Sequence, residues 1–356
     1  MTQLKIGIAM SGGVDSTVSA AILHRQEFAV HGFFMHLPLK GVEEQIVRVR
    51  AVARRLEIPL SVIDMRMLFP DTVIDYFVDQ YQHGLTPNPC VICNECIKFG
   101  ALMESMIARG MDRMATGHYA RIRRENDAES FIMRGLDEKK DQSYFLCRLS
   151  TAQLNRMILP LGELTKKKVY RMAADMGLAG VHGPESQDVC FLGGDSVAAF
   201  LQEQGINDVP GDIVTGEGRV LGRHRGIWHY TIGQRHGLGL PDTTPWYVME
   251  LDAKNNRVLV CKNEELFSSS LTLREVYWTG RAPALPWDGL VQLRSRHRAS
   301  SATIDRDCRG RWVVSFTERQ RAVTPGQFAV FYAAETVLGS GVIDGRLPAA
   351  DGNHCQ

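Results

Sequence analysis

The chain has 356 residues, of which 44% are hydrophobic and 23% charged, with a formal net charge of +1. That length suggests two or three domains, each able to bury a sizeable core. No run of 18 apolar residues occurs and the chain enters a strand-like pattern at once, so neither a membrane span nor a signal peptide is expected and the chain reads as cytoplasmic. In that compartment the eight cysteines are expected to be thiols, catalytic groups or metal ligands rather than structural disulfides.

The first elements read as strand, tight turn and helix. Ile6, Ile8 and Met10 alternate with smaller residues, then comes Ser11-Gly12-Gly13-Val14-Asp15-Ser16, then an apolar helical run from Thr17 to Leu23. Adjacent glycines let the backbone turn sharply and approach a ligand closely. The following helix points its N–H groups and positive dipole end into the turn. Ser11 and Ser16 add hydroxyls. The lysine of a Walker loop is missing, so phosphate would be gripped mainly by backbone amides. Asp15 is expected to orient the loop or to bind Mg²⁺. The string resembles the pyrophosphatase loop of ATP enzymes that release AMP and pyrophosphate, a group that includes GMP synthetases, argininosuccinate synthetases and tRNA sulfur-transfer enzymes.

A strand over 30–35, a helix over 45–56 with Ile46, Val49, Val52 and Leu56 at helical spacing, a strand over 60–64 and a helix over 69–81 follow. This alternation predicts a doubly wound α/β domain with a parallel sheet. Met35 falls at the end of the second strand, where the adenosine of a nucleotide would lie.

Thr86-Pro87-Asn88-Pro89-Cys90 then leads through Cys93 and Cys96 into a helix. Thiols at a helix N-terminus are expected to have lowered pKa. The C-x-x-C-x-x-C spacing permits a metal or iron–sulfur half-site, a redox pair, or a single nucleophile. A fourth strand, 112–117, ends at Gly117-His118, with Arg121 expected on the same edge and a binding role for His118. Lys139-Lys140-Asp141-Gln142-Ser143-Tyr144-Phe145-Leu146 suits nucleic-acid contact or a capped helix start. A helix over 161–176 carries Lys166-Lys167-Lys168, expected to be a solvated face. Cys190 stands alone after Pro184–Asp188, about a hundred residues beyond Cys93.

From about Pro210 short β-like runs replace helical periods, at 246–251, 257–260 and 312–316, with a hairpin turn at 252–256. This is a sheet or barrel texture. Ala282–Pro286 reads as a boundary between two small β units. Between Leu290 and Pro325 lie Arg294, Arg296, Arg298, Arg306, Arg309, Arg311, Arg319 and Arg321 against Asp305, Asp307 and Glu318, a net +5. Arg219, Arg223, Arg225 and Arg235 form a second basic stretch. Clustered arginine on a nearly neutral chain points to a polyanion or to a solvated strand surface.

Ser11–Ser16, Thr86–Phe99, Ala115–Arg121, Lys140–Leu146, Glu185–Phe191, His229–Arg235, Pro245–Val248 and Pro325–Gln327 together resemble the bacterial tRNA-specific 2-thiouridylase family over nearly the whole chain. The resemblance implies a catalytic domain over 1–205, a small central domain over 206–280, a tRNA-binding β-barrel over 281–347 and a tail over 348–356. It implies ATP-dependent 2-thiolation of a wobble uridine, with ATP held by Ala9, Met10, Ser11, Gly12, Gly13, Val14, Asp15, Ser16, Met35 and Gly117, and Mg²⁺ accompanying it. Cys190 would carry a persulfide and Cys93 would attack it, leaving a Cys93–Cys190 disulfide. His118, Lys140, Asp141, Gln142, Arg296, His297 and Gln327 would contact tRNA. The partners would be tRNA and a sulfur-relay donor protein or cysteine desulfurase, with no membrane, and the chain would be a monomer. Many members carry Asp where this chain has Cys90 and Glu where it has Cys96, and the stretch 37–42 is short. Cys90, Cys93 and Cys190 therefore raise a second route, through a 4Fe-4S cluster, with zinc the weaker metal option. A small-molecule ATP-dependent ligase or amidotransferase, and a non-catalytic tRNA-binding protein, are the competing classes.

Overall fold

The computed structural model describes residues 3–126, 129–178, 180 and 189–347. The opening elements are β1 (Lys5–Ala9), α1 (Val14–Arg25), β2 (Ala29–His36), α2 (Val42–Arg55) and β3 (Leu60–Asp64). A π-helical turn, Pro70–Ile74, runs into α3 (Asp75–Gln82). The cysteine segment is one long helix in three parts: α4 (Pro89–Ile92), a π-helical stretch Cys93–Leu102, and α5 (Met103–Ala108). Then come β4 (Arg113–Ala115), β5 (Ala120–Asn126), β6 (Glu129–Arg134), α6 (Thr151–Asn155), β7 (Met157–Ile158), α7 (Lys166–Asp175) and α8 (Val197–Glu203).

The first sheet is wholly parallel, in the order β3-β2-β1-β4-β7. Its central strand buries Ile6 and Ile8 completely, the expected consequence of helices on both faces. α2 covers one face with Ile46, Val49, Val52 and Ala53. Glu43 and Glu44 in its first turn and Arg54 and Arg55 in its last complement the helix dipole. The α/β domain is as expected. α7 is shorter than the expected 161–176 because Thr165 caps it, accepting from the Lys168 amide.

The second sheet has the order β10-β11-β8-β9, with β8 (Gly211–Thr215), β9 (Val220–His224), β10 (Tyr247–Asp252) and β11 (Arg257–Cys261). Ile213, Val248, Val258 and Val260 form its core, closed over by Ile227, Tyr230, Ile232 and Leu238 from the long connection between β9 and β10.

The third sheet is a barrel: β12 (Phe267–Trp278), β13 (Trp287–Gln292), β14 (Ser300–Arg306), β15 (Trp312–Arg321), β16 (Phe328–Ala333) and β17 (Thr336–Arg346). Its six strands run β12-β15-β14-β13-β16-β17, and β17 pairs back onto β12 to close the ring, which removes the exposed edges. The expected division at 280 falls at the end of β12. Ala282–Pro286 is not a boundary between two β units. It is the connection from β12 to β13 inside this barrel, and its prolines mark a turn. Cys308, between β14 and β15, is disulfide-bonded, an exception to the expected thiols.

The first and third sheets share structure. The β5–β6 hairpin adds to the barrel through Thr336 opposite Met133, and the Arg134 amide donates to the Glu335 carbonyl at 2.9 Å. One hydrophobic core runs from Phe33, Phe69 and Phe99 of the α/β domain to Phe328, Val330, Tyr332 and Val342 of the barrel. Tyr332 is its pin. The Arg134 guanidinium lies 3.8 Å over its ring, and its hydroxyl is 3.1 Å from Ser143 Oγ. Replacing Tyr332 with Ala is expected to cost about 3–5 kcal/mol. Urea denaturation would check this, and a loss below 1 kcal/mol would mean that the shared core does not hold the two parts together.

Candidate functional site

The phosphate loop is folded on itself. The Ser11 amide donates to Ser16 Oγ at 3.2 Å, and Ser16 Oγ donates to the Gly13 carbonyl at 3.1 Å. Gly12 takes a left-handed φ of 79°, which favours glycine. Gly13 is the N-cap of α1, so the loop runs directly into the helix N-terminus. Ala9 ends β1, and Met10 and Val14 pack into the core on either side of the turn. Gly117, just past β4, crosses this loop so closely that a Cβ would lie 2.9 Å from the Asp15 carbonyl carbon and the Ser16 nitrogen. Met35 is half-buried near the end of β2 and packs against the main core.

Asp15 is held inward. Lys166 Nζ reaches both of its carboxylate oxygens at 2.8 Å, and the Tyr119 hydroxyl donates to Oδ1 at 2.7 Å. Two donors thus make three hydrogen bonds to the carboxylate and tie the start of α1 to α7 and Tyr119. Lys166 corrects the expectation of a solvated triple-lysine face: it is only 8% exposed. The first residue of α7 points back toward Asp15 in the first turn of α1, whereas Lys167 and Lys168 stay outside. A single sequence cannot separate the three lysines, because only the start of α7 determines which one faces inward.

Residues 115–118 connect this loop to the thiols. His118 Nδ1 is 2.8 Å from Thr116 Oγ1, and its ring lies 5.7 Å from that of Phe99 on the π-helical stretch. Burial, reinforced by the Lys98 charge, holds His118 well below the usual histidine range, so it is neutral at pH 7. Gln153 and Asn94 fix the π-helical stretch. Gln153 Nε2 donates to the carbonyls of Glu95 and Phe99 at 3.0 Å. Gln153 is also half of the Ser150–Gln153 capping box on α6, a signal readable in the sequence. Asn94 Nδ2 donates to the Phe145 carbonyl at 3.0 Å. Wide i→i+5 turns of this kind recur at functional sites.

The structure brings Cys90, Cys93 and Cys190 within mutual electrostatic reach, with Lys98 facing all three. Cys96 is exposed beside Glu95 and Arg148 and also lies within electrostatic reach of Cys93. The expected lowering of thiol pKa is reversed. Burial pushes Cys93 up to about 12, with the Lys98 charge opposing, and raises the half-buried Cys90 in the same way; the Cys190 thiol is exposed yet shifted in the same direction. Cys93 is 8% exposed and sits beyond the first turn of the helix that starts at Pro89. Desolvation therefore outweighs both the helix dipole and the lysine. Glu185–Asp188, which precede Cys190, lie outside the described residues.

The expected tRNA contacts divide into two groups. Arg296 and His297 are exposed on the connection between β13 and β14. Lys140 is half-buried, its amide donating to the Asp137 carbonyl at 2.9 Å. Asp141 is taken up internally: it accepts from Arg134 Nη1, the Gly135 amide and both the amide and hydroxyl of Ser143, all between 2.9 and 3.0 Å. Gln142 Oε1 accepts from the Tyr119 amide at 2.9 Å. Ser143–Leu146 is a single 3-10 turn whose start Asp141 braces through the Ser143 amide and hydroxyl. Gln327 turns toward the cysteine loop, donating to the Thr86 and Pro87 carbonyls at 2.9 and 3.1 Å. Arg121 leaves the expected edge and donates to the Arg134 carbonyl and to Glu335. Of the eight barrel arginines, Arg294, Arg306, Arg311, Arg319 and Arg321 each make a side-chain contact within the protein. Arg306, Arg311, Arg319 and Arg321 nevertheless remain exposed and keep their charge on the surface.

Three family models cover the chain in succession: a tRNA methyl transferase HUP domain over 4–194, a tRNA methyl transferase PRC-barrel domain over 198–262, and an aminomethyltransferase beta-barrel domain over 268–343. A tRNA-specific 2-thiouridylase MnmA of Desulfotalea psychrophila is 44% identical over 95% of this chain and 98% of its own. A second, of Carboxydothermus hydrogenoformans, is 41% identical over 96% of this chain and 98% of its own. A third, of Trichlorobacter lovleyi, is 42% identical over 97% and 99%.

Two outcomes follow from the site's geometry. Lys166→Met leaves Asp15 without its cation and is expected to destabilise the protein by about 2–3 kcal/mol, less than a fully buried pair because Asp15 keeps some solvent. Adding Asp15→Asn should restore most of the loss in urea denaturation, and no recovery would show that the lysine acts through packing alone. Because the Cys93 thiol is raised, its alkylation in the resting protein should climb about tenfold per pH unit from 7 to 10. A plateau below pH 8, read by peptide mass spectrometry, would contradict the burial argument.

Proposed function

The chain belongs to the tRNA-specific 2-thiouridylase family, and we propose that it replaces the C2 oxygen of the wobble uridine of tRNA with sulfur, using ATP. The observation that carries this reading is the short span 115–118. It touches the phosphate loop at Gly117 and the thiol-bearing helix through His118 and Phe99. One ligand bridging the two ends of that span could be activated at one and attacked at the other.

The C2 oxygen of uridine is a poor leaving group. Its attack on the α-phosphorus of ATP forms an O–P bond, expels pyrophosphate toward the Ser11–Ser16 loop and leaves an adenylated C2. Cys190 carries a persulfide whose outer sulfur comes from a relay protein or a cysteine desulfurase. The Cys93 thiolate attacks the inner sulfur, forming the Cys93–Cys190 disulfide and releasing hydrosulfide. Hydrosulfide adds at C2 and AMP leaves with the original oxygen. An external dithiol then reduces the disulfide, so atoms and electrons balance. Cys93 rests protonated, so its proton must leave during the attack, and the Lys98 charge favours the thiolate that results. ATP brings Mg²⁺ with it. His118 enters as a neutral side chain able to hydrogen-bond a base. The target uridine must be unstacked before C2 can be reached.

Among the described residues no group of three or more His, Cys, Asp or Glu side chains is arranged to hold a metal ion, so Cys90, Cys93 and Cys190 as placed do not fit a 4Fe-4S cluster.

The reading is tested by anaerobic incubation with ATP, Mg²⁺, unmodified tRNA and a persulfide donor, followed by mass spectrometry of digested tRNA. 2-Thiouridine is expected from the native protein, with at least about a thousandfold loss in Cys93→Ser and Cys190→Ser, because removal of a nucleophile has that scale. Product from free sulfide that depends on iron reconstitution would replace the persulfide route. Absence of 2-thiouridine with ATP still bound would favour a small-molecule ligase. In a parallel binding measurement, Arg296→Ala should weaken tRNA affinity and reduce the salt slope by about one. An unchanged slope would remove Arg296 from the RNA surface.

A further inference from the structure

The turn Thr324–Gln327, which leads into β16, is unusually well fastened. The Gly326 amide donates to the Ile343 carbonyl at 2.9 Å, and the Ile343 amide donates to the Gln327 carbonyl at 2.8 Å. Arg294 Nη2 donates to the Ala322 carbonyl at 3.0 Å and also to Thr324 Oγ1. Gly326 has a φ of 90°, and a Cβ there would lie 3.0 Å from both Leu85 and Thr86. The barrel thus presents a rigid turn in close contact with the chain just before the cysteines.

Three hydrogen bonds cross that contact. The Thr86 amide donates to the Pro325 carbonyl at 2.9 Å. Gln327 Nε2 donates to the Thr86 carbonyl at 2.9 Å and the Pro87 carbonyl at 3.1 Å. Beyond Pro87 the segment has little freedom, because Pro89 fixes its own φ and restricts Asn88. Cys90 follows at once. A second tie lies beside the first: Tyr144, fully buried next to the Asn88 side chain, donates to the Phe328 carbonyl at 2.9 Å. The barrel turn therefore holds Thr86 and Pro87, and through them sets where the thiol helix begins.

We propose that Gln327 is a positioning residue for the cysteine loop: the barrel holds Thr86 and Pro87 through its carboxamide and so fixes the placement of Cys90 and Cys93. This rests on the reading of Cys93 as the attacking thiol only for its effect on turnover. The structural part stands without RNA or ATP. It also assigns Gln327 a function other than the RNA contact that the family resemblance implies. The exposed residues Arg296 and His297 follow Arg294 by two and three positions, so the loop expected to meet RNA and the turn that holds the thiol segment share one anchor.

The test uses the full-length protein with no nucleic acid. Gln327→Met keeps the length of the side chain and removes its donor. Gln327→Glu places a carboxylate against two carbonyl oxygens. Peptide-resolved alkylation by iodoacetamide at fixed pH should show Cys93 labelling rising roughly tenfold in Gln327→Met, the scale of one or two lost hydrogen bonds in local opening. It should rise at least as much in Gln327→Glu, with labelling of buried Cys147 unchanged in both. In the thiolation assay kcat should fall, while the tRNA Kd changes less than twofold. Unchanged Cys93 labelling with a weakened tRNA Kd would overturn the proposal and leave Gln327 as an RNA contact. A parallel rise at Cys147 would overturn it too, as general loosening. If the carboxylate variant does not fold, Gln327→Met decides alone. Increased labelling without 2-thiouridine from the native protein would retain the positioning role and reject the proposed reaction.

Discussion

The whole arrangement depends on one shared packing surface, where the α/β domain and the barrel bury their aromatic side chains together. Tyr144 and Tyr332 are almost fully buried from opposite sides of that surface. Each also satisfies its hydroxyl across it, Tyr144 on the Phe328 carbonyl and Tyr332 on Ser143. Burial of large aromatic rings supplies non-directional attraction. The hydroxyls make it directional, because an unpaired buried hydroxyl costs about 1–3 kcal/mol. The barrel can therefore dock in one register only. That register brings Pro325 and Gln327 to the chain before Cys90, and a bulge in β12 at Glu275 to Arg148 beside Glu95. The thiol helix is thus held at its start and along its flank by a part of the chain more than a hundred residues away.

At the thiols two electrostatic effects compete, and their magnitudes decide the resting state. Lys98 and the helix dipole favour thiolates. Removing a charge from water disfavours them, and for a side chain as covered as Cys93 desolvation is the larger effect. The resting thiols are protonated, which slows their reaction with oxidants or with one another. The phosphate loop is arranged differently. Its half-buried carboxylate is met by an ammonium and a phenol hydroxyl, so Asp15 and the buried Lys166 stabilise each other, and the lysine would be costly alone.

Much of this was legible in the sequence. The strand–loop–helix at 5–25, the parallel α/β pattern and the change to β texture at about 210 follow from local periodicity and glycine placement, which depend on near neighbours. The capping box at Ser150 and Gln153 could have been read from the same rules. The fate of Asp141, Gln142 and Arg121 could not. Each is a polar residue in a stretch suited either to RNA contact or to internal capping, and only its neighbours in space decide between the two.

By itself the sequence determined which chemistry was available: a loop able to hold phosphate, cysteines at 90, 93 and 190, and a basic C-terminal region. These depend on residue type and short spacing. The tertiary structure decided which groups meet and in what medium. It turned Lys166 inward and Lys167 outward, because the start of α7 faces Asp15 in the first turn of α1. It raised the Cys93 thiol where its position near a helix start suggested the opposite, because solvent exclusion is a property of packing. It also placed Gln327 on the cysteine loop 240 residues earlier in the chain, a contact that exists only once the barrel has closed and docked.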